Sequence, residues 1–126
     1  MNNHKKQSGQ TLITLLIFMI IAITITSTSV AILITNSASS DKLYQGDLAK
    51  YLAENGIENA LLRLLRDPDY SSETLTLNEG TITITVTGTT NKTITSKGTT
   101  GNFSRTIQVQ TIYNNDTYTI TSWNEI

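Results

Sequence analysis

The feature that most constrains this chain is a long run without a charged side chain, from Gln7 to Ser40. Within it, residues 11 to 35 are mainly Leu, Ile, Val, Phe, Met and Thr. A bilayer core about 30 Å thick needs roughly 20 helical residues, whereas the apolar part of a cleaved secretory signal needs only about 7 to 15. The stretch from Leu12 to Ile34 meets the longer requirement. The sequence therefore predicts a helix that spans a membrane.

The residues that flank this run predict its orientation. Lys5 and Lys6 precede it, and positive charges before a span favour a cytoplasmic amino terminus. Residues 41 to 126 are then expected outside the membrane. Cleavage by signal peptidase is the alternative, but the nearest candidate site, Asn36-Ser37-Ala38-Ser39, lacks the small apolar residue expected two positions before the cut. Such cleavage would release a secreted protein that starts near Ser39.

Composition limits what the remainder of the chain can form. The 126 residues leave room for one small domain beyond the membrane. The formal net charge is -1 and the charges are scattered, so no basic patch indicates nucleic-acid binding. Cysteine is absent, which excludes disulfides, thiolate metal sites and cysteine nucleophiles. The domain must therefore be stabilised by packing and hydrogen bonds, or by neighbouring copies.

The helical pattern continues past the apolar run, because neither Gly nor Pro occurs from Gln10 to Gln45. From Asp41 to Arg66, apolar residues recur at spacings of three and four, which indicates one stripe of an amphipathic helix. This predicted stripe consists of Ala49, Ala53, Ile57, Ala60, Leu61, Leu64 and Leu65. Pro68 ends the element, because proline restricts the residue before it and cannot donate to the helical ladder. The prediction is one helix of roughly 55 residues, about 80 Å long.

Beyond Pro68 the apolar period changes to two, which is typical of half-buried strands. The predicted strands are residues 73–77, 81–87, 92–97, 105–113 and 117–123. Gly-, Asn- and Asp-containing connections at 78–80, 88–91, 98–102 and 114–116 favour an antiparallel meander. The helix stripe is expected to cover the apolar face of this sheet, which gives an α+β fold. That face consists of Leu75, Leu77, Ile82, Ile84, Val86, Ile94, Ile107 and Val109.

Three features carry a family resemblance: a basic leader that ends at Gly9, the following segment Gln10-Thr11-Leu12-Ile13-Thr14-Leu15-Leu16, and a long helix followed by a small antiparallel sheet. Together they resemble the type IV filament proteins, the pilins and pseudopilins. The helix segment that contains Ala53-Glu54, Gly56 and Ala60 is similar to that of PilX-type minor pilins. The leader and helix match over about half of the chain, and the sheet matches only in kind.

The resemblance implies a pilin-like organisation in four parts. They are a prepilin leader at 1–9, a hydrophobic transmembrane and assembly helix at 10–40, an amphipathic extracytoplasmic helix at 41–67 and an antiparallel sheet domain at 68–126. It further implies cleavage between Gly9 and Gln10 by a membrane prepilin peptidase, and insertion of the helix into a filament. The residues implied in assembly are Leu12, Thr14, Leu15 and Leu16.

The resemblance also implies the partners. These are other pilins or pseudopilins that pack helix against helix, the prepilin peptidase, an inner-membrane assembly platform and membrane lipid. Contact with nucleic acid is not expected, and neither a cofactor nor a metal is implied. The expected location is the cytoplasmic membrane, crossed once, and the cell surface after assembly.

Thr14 departs from the family at the fifth position of the cleaved chain. Major pilins carry Glu there, and its carboxylate can neutralise the terminal ammonium of a neighbouring subunit in an apolar environment. In having an uncharged residue at this position, the chain resembles the minor pseudopilin that is placed at the tip of the filament. We therefore expect an initiating or minor role, and the alternative is that Thr14 is one more threonine in a threonine-rich chain.

The residues do not assemble into a catalytic set, so we expect no enzymatic activity. His4, the only histidine, lies in the predicted leader. Asp67, Asp69 and Glu73 could collect calcium, or could form a solvated turn after the helix. The preferred hypothesis is a minor pilin-like or pseudopilin-like structural subunit. The alternatives are a single-pass surface protein that never enters a filament, and a secreted enzyme freed by signal peptidase.

The sequence allows two interpretations each for Gly56 and for the hydroxyl side chains of the apolar run. Gly56 lies within the predicted helix, either because the sheet or a neighbouring subunit approaches closely, or as a tolerated weakness of about 1 kcal/mol. Hydroxyl side chains interrupt the apolar run, and they can bond back to their own helix or across to another helix. These are Thr24, Thr26, Ser27, Thr28 and Ser29.

Overall fold

The computed structural model describes residues 5 to 126, and their side chains from Gly9 onward. Of the predicted leader, His4 and the side chains of Lys5 and Lys6 therefore lie outside the described residues. The elements are α1 (Lys5–Arg66), β1 (Ser72–Leu77), β2 (Gly80–Thr87), β3 (Asn91–Thr100), β4 (Phe103–Asn114) and β5 (Thr117–Glu125). The chain divides into two compact units, Met1–Ser40 and Asp41–Ile126.

Helix α1 has 62 residues and ends where the sequence predicts. The amide of Asp67 still bonds to the carbonyl of Arg63, at 2.8 Å, and Pro68 then interrupts the ladder. The carboxylate of Asp67 accepts a hydrogen bond from the amide of Asp69, at 3.0 Å, which forms a tight turn. Arg63 and Arg66 occupy the last turn, where cations interact favourably with the exposed helix carbonyls.

The five strands form one antiparallel sheet in the order β1-β2-β3-β4-β5, as the meander prediction requires. The β4–β5 turn consists of Asn115 and Asp116, both with positive φ, a conformation that matches the twist of a two-residue hairpin. The predicted connection 98–102 is wrong in extent. Gly98 to Thr100 belong to β3, so the turn shortens to Gly101 and Asn102, and Gly101 supplies the positive φ.

The core of the second unit lies between one face of this sheet and residues 49 to 64 of α1. Strand β2 shows the predicted alternation, because Ile82, Ile84 and Val86 are buried while the threonines between them are exposed. The predicted α+β fold, a long helix packed on an antiparallel sheet, is confirmed. The buried apolar residues are Ala49, Leu52, Ala53, Ile57, Ala60, Leu64, Ile82, Ile84, Val86, Ile94, Ile107 and Val109.

Two leucines assigned to this core from sequence are instead exposed. Leu65 is 60% exposed, because it follows Leu64 by about 100° around the helix and therefore turns away from the sheet. Leu77 is 46% exposed, because it ends the short edge strand β1, where it pairs with Gly80 at the rim of the sheet. Leu52, which the predicted stripe omitted, is buried.

Helix and sheet approach most closely at two glycines. A Cβ on Gly56 would overlap the Oγ of Ser96 and lie 2.6 Å from Cγ2 of Ile82. A Cβ on Gly98 would overlap the carbonyl oxygen of Ala49 and lie 2.6 Å from the amide nitrogen of Ala53. Close approach of the sheet is therefore the reason for glycine at position 56, as one of the two sequence interpretations holds.

Candidate functional site

The first unit presents an exposed apolar helix. Residues 9 to 40 are exposed along their whole length. Their most apolar 18-residue window has a mean hydropathy of 2.5 and is fully exposed within the described part of the chain. Water solvates such a surface poorly, whereas a bilayer accepts it. By length and composition, one helix near the amino terminus can cross a membrane.

The predicted site residues lie at the start of this helix. Apart from the two neighbouring residues and the adjacent backbone of its own helix, no described atom lies within 4 Å of the point where a Cβ on Gly9 would stand. The structure brings Gln10 and Thr14 together, because the hydroxyl of Thr14 donates to the carbonyl oxygen of Gln10 at 2.9 Å. This bond gives the Thr14 proton a local acceptor within its own helix.

The three predicted assembly leucines share another part of the same surface. Leu12, Leu15 and Leu16 are 55% to 68% exposed. Spacings of three and four place them within an arc of about 100°. Thr14 lies about 150° from the centre of that arc, so the leucines and Thr14 face different neighbours in any helix bundle.

Seven hydroxyl groups of the apolar run, from Thr14 to Thr35, bond back to their own helix. Ser27 donates to the carbonyl of Ile23 at 2.8 Å, and Thr28 donates to the carbonyl of Thr24 at 2.9 Å. Thr24, Thr26, Ser29 and Thr35 form equivalent bonds. Each hydroxyl proton is therefore satisfied without an outside partner, which lowers the cost of lipid contact. The oxygen lone pairs and the small side-chain volume still permit close contact with another helix.

A polar cluster lies where α1 meets β1. The guanidinium of Arg63 contacts the carboxylate of Glu73 at 2.9 Å and the side-chain oxygen of Asn59 at 3.1 Å. It also lies 5.7 Å from the ring centre of Tyr70, whose hydroxyl donates to Glu73 at 3.2 Å. Partial burial, followed by the nearby Glu73 carboxylate, raises the pKa of Tyr70. A shallow cleft of about 460 Å³ adjoins this cluster.

These contacts favour the solvated turn over calcium for the acidic residues after the helix. Arg63 and Tyr70 engage both oxygens of Glu73, while Asp67 accepts the amide of Asp69. In the part of the chain that the structure describes, no three Asp, Glu, His or Cys side chains converge as metal ligands. The cluster therefore ties the end of α1 to the edge of the sheet.

Aromatic side chains gather on β4 and β5. The rings of Tyr113 and Tyr118 lie 4.8 Å apart between centres, and Tyr118 packs against the core. The hydroxyl of Tyr113 donates to Asp116 at 2.8 Å, and this hydrogen bond is the main cause of the raised pKa of Tyr113. Trp123 is partly exposed on the edge strand β5. The contact between Tyr113 and Tyr118 therefore stabilises the β4–β5 hairpin next to its turn.

The second unit also has an exposed apolar surface on α1 that the predicted stripe does not cover. Four large apolar side chains of α1, which the predicted stripe does not include, stand out into solvent. They are Leu43, Tyr44, Tyr51 and Leu62. Their separations of seven, eight and eleven residues are the helical signal that could have identified them.

The arrangement as a whole suits association with lipid or with other helices. From Gly9 to Ser40 the chain offers apolar and hydroxyl groups, the amides of Gln10 and Asn36, and no ionisable side chain. Comparison of the chain with protein-family models, with curated proteins and with solved structures finds no match.

Proposed function

We propose that this chain is a minor pilin-like or pseudopilin-like structural subunit of a type IV pilus or a related secretion or uptake filament. The observation that supports the proposal is a single helix, α1, whose first part is apolar and exposed while its last part is buried against a small sheet. A membrane anchor alone needs roughly 20 helical residues. The further helical turns provide a surface for neighbouring subunits.

The proposed cycle begins in the cytoplasmic membrane. Lys5 and Lys6 hold the amino terminus inside, and residues 41 to 126 lie outside. A prepilin peptidase then cuts between Gly9 and Gln10, which removes both lysines together with the leader. The remaining apolar helix has lost its charged cytoplasmic anchor, and other apolar helices can replace lipid around it through close packing. An inner-membrane assembly platform would guide this transfer.

The first test is the mass of the amino terminus of the protein purified from membranes of a cell that contains prepilin peptidase. We expect a chain that starts at Gln10, with or without one methyl group. Replacing Gly9 by Leu should leave the start at Met1, because the bulky side chain obstructs the cleavage point. A natural start at Met1 would contradict processing, and a start near Ser39 would support release by signal peptidase.

The proposed position within the filament is the tip or another minor position, because residue 14 offers no carboxylate to a neighbouring terminal ammonium. We expect Thr14→Glu to change the number of filaments per cell by less than about twofold, as counted by electron microscopy, since a terminal subunit has little use for that ion pair. Thr26→Glu is the control, because it places the same charge near the middle of the apolar run and should abolish incorporation. A large gain of filaments in Thr14→Glu would indicate a shaft subunit instead.

The second candidate function is a single-pass surface protein with a small β ectodomain that remains unassembled. The observation that favours this candidate is the exposed apolar run, which can anchor the chain in a membrane. Anchoring of this kind does not require cleavage after Gly9. The two candidates differ in the amino terminus, which is Met1 for the unassembled protein and Gln10 for the filament subunit.

A further inference from the structure

Residues 41 to 66 of α1 carry a second apolar stripe, here called the outer stripe. It consists of Leu43, Tyr44, Tyr51, Leu62 and Leu65, which are 60% to 71% exposed. At about 100° per residue, these five side chains fall within an arc of about 100°. The residues buried against the sheet centre on nearly the opposite side of the helix. The outer stripe is therefore separate from the face that holds the sheet.

The charges on the outer stripe have one sign. Asp47, Glu54 and Glu58 fall within the same arc of about 100° as the apolar residues. The four basic residues of this helix segment lie outside the arc, Lys50 by about 20° and the others by more, and they are Lys42, Lys50, Arg63 and Arg66. Two of these bases, both about half exposed, pair with carboxylates on the sheet, because Lys50 lies 4.0 Å from Glu125 and Arg63 lies 2.9 Å from Glu73. The outer stripe thus combines apolar side chains with acidic ones.

We propose that the outer stripe docks a basic amphipathic helix of a different subunit. Five large apolar side chains along one helix face form a surface that a second helix can cover. A second copy of this chain is a poor occupant, because the same stripe in either orientation would set acidic residues against acidic residues. A helix with Lys or Arg between its apolar residues satisfies both requirements. The inference rests on the proposed function and adds the chemistry of the partner.

The test uses the full-length protein in neutral-detergent micelles. The probe is a fluorescently labelled synthetic helix of about three heptads, with Leu at the core positions and Lys beside them. We expect saturable binding by fluorescence anisotropy that weakens as salt rises, since exposed charges are screened. A peptide with Glu in place of Lys should not bind measurably.

Variants identify the surface on which the peptide binds. The double variant Glu54→Lys with Glu58→Lys should weaken binding by about tenfold or more, because two exposed attractions become repulsions. Tyr51→Asp should weaken it as well, since it removes an apolar contact. Glu79→Lys, which makes one such charge reversal on the β1–β2 turn, is the control and should bind as the parent does. Equal losses in Glu79→Lys, or binding of the acidic peptide, would overturn the proposal.

A second measurement tests whether another copy of this chain occupies the outer stripe. Because the chain contains no cysteine, Tyr51→Cys introduces a single thiol on the outer stripe. Oxidation in membranes should yield monomer, and a disulfide-linked dimer would show that a second copy occupies this face and would overturn the proposal. The proposed function is tested by a different measurement, the mass of the amino terminus. A natural start at Met1 would refute filament processing and would not change the result of the peptide-binding experiment.

Discussion

Replacing Gly98 by Ala is expected to destabilise the second unit by about 3 kcal/mol, at the upper end of the usual cost of an extra core methyl group. The added Cβ would overlap the carbonyl oxygen of Ala49 and would lie 2.6 Å from the amide nitrogen of Ala53. Both atoms belong to the helix backbone, so relief requires the whole helix to move away from β3. A domain of this size has a stability of only about 5 to 10 kcal/mol, so the loss is a large fraction of it.

Urea unfolding, followed by the fluorescence of Trp123, measures this change. The matched control is Gly46→Ala, also on the buried side of α1, where the added Cβ would meet only Nη2 of Arg105, at 3.9 Å. That variant should gain up to about 1 kcal/mol, because Ala favours a helix more than Gly does. Opposite signs for the two substitutions are the expected result. Equal effects would mean that helix and strand β3 are not in close contact.

The second large effect concerns membrane insertion. Replacing both Ile20 and Ile23 by Arg is expected to move most of the chain out of the membrane fraction, as judged by carbonate extraction and immunoblotting. Each arginine near the middle of a spanning helix costs about 2.5 to 3.5 kcal/mol on insertion scales. The apolar residues of a span gain only about 0.3 to 0.6 kcal/mol each, so two arginines cancel the contribution of most of the run.

The matched control for this pair is Leu62→Arg with Leu65→Arg. These two residues have the same spacing on the same helix and are equally exposed, yet they lie beyond the predicted span. The control should stay in the membrane fraction. If both pairs leave the membrane, the loss reflects a general defect of the chain. If neither leaves, residues 12 to 34 do not form the anchor.

The sequence predicted the elements because their signals are local. Pro68 ends the helix through its own backbone chemistry, and alternation along a strand is set by the strand itself. Whether a given position is covered depends on a partner distant in sequence. Leu77 follows the alternation but lies at the rim, and Leu65 follows the helical spacing but turns away from the sheet. Periodicity therefore identified the buried faces of the helix and the sheet, but it did not show which residues lie at the exposed edges of those faces.

Gly98 illustrates a second limit. Glycine most often marks a turn, and the pairs Gly98-Thr99 and Gly101-Asn102 look alike along the sequence. Gly98 instead lies within β3, where it makes room for the backbone of α1. The outer stripe was overlooked for a related reason, because one helix can carry two apolar faces with the same spacing. Small side chains separate them, since within residues 41 to 66 Ala and Gly occur only on the face toward the sheet, beside the larger buried residues Leu52, Ile57 and Leu64.

The odd number of strands sets a directional limit on the sheet. Each of the five strands is antiparallel to the next, so the open edges β1 and β5 run the same way. In a polar array, where every copy points in one direction, edge-to-edge continuation would need a parallel β5–β1 ladder, whose slanted bonds make it the less stable kind. The antiparallel ladder, which is the more stable kind, would instead require neighbouring copies to point in opposite directions.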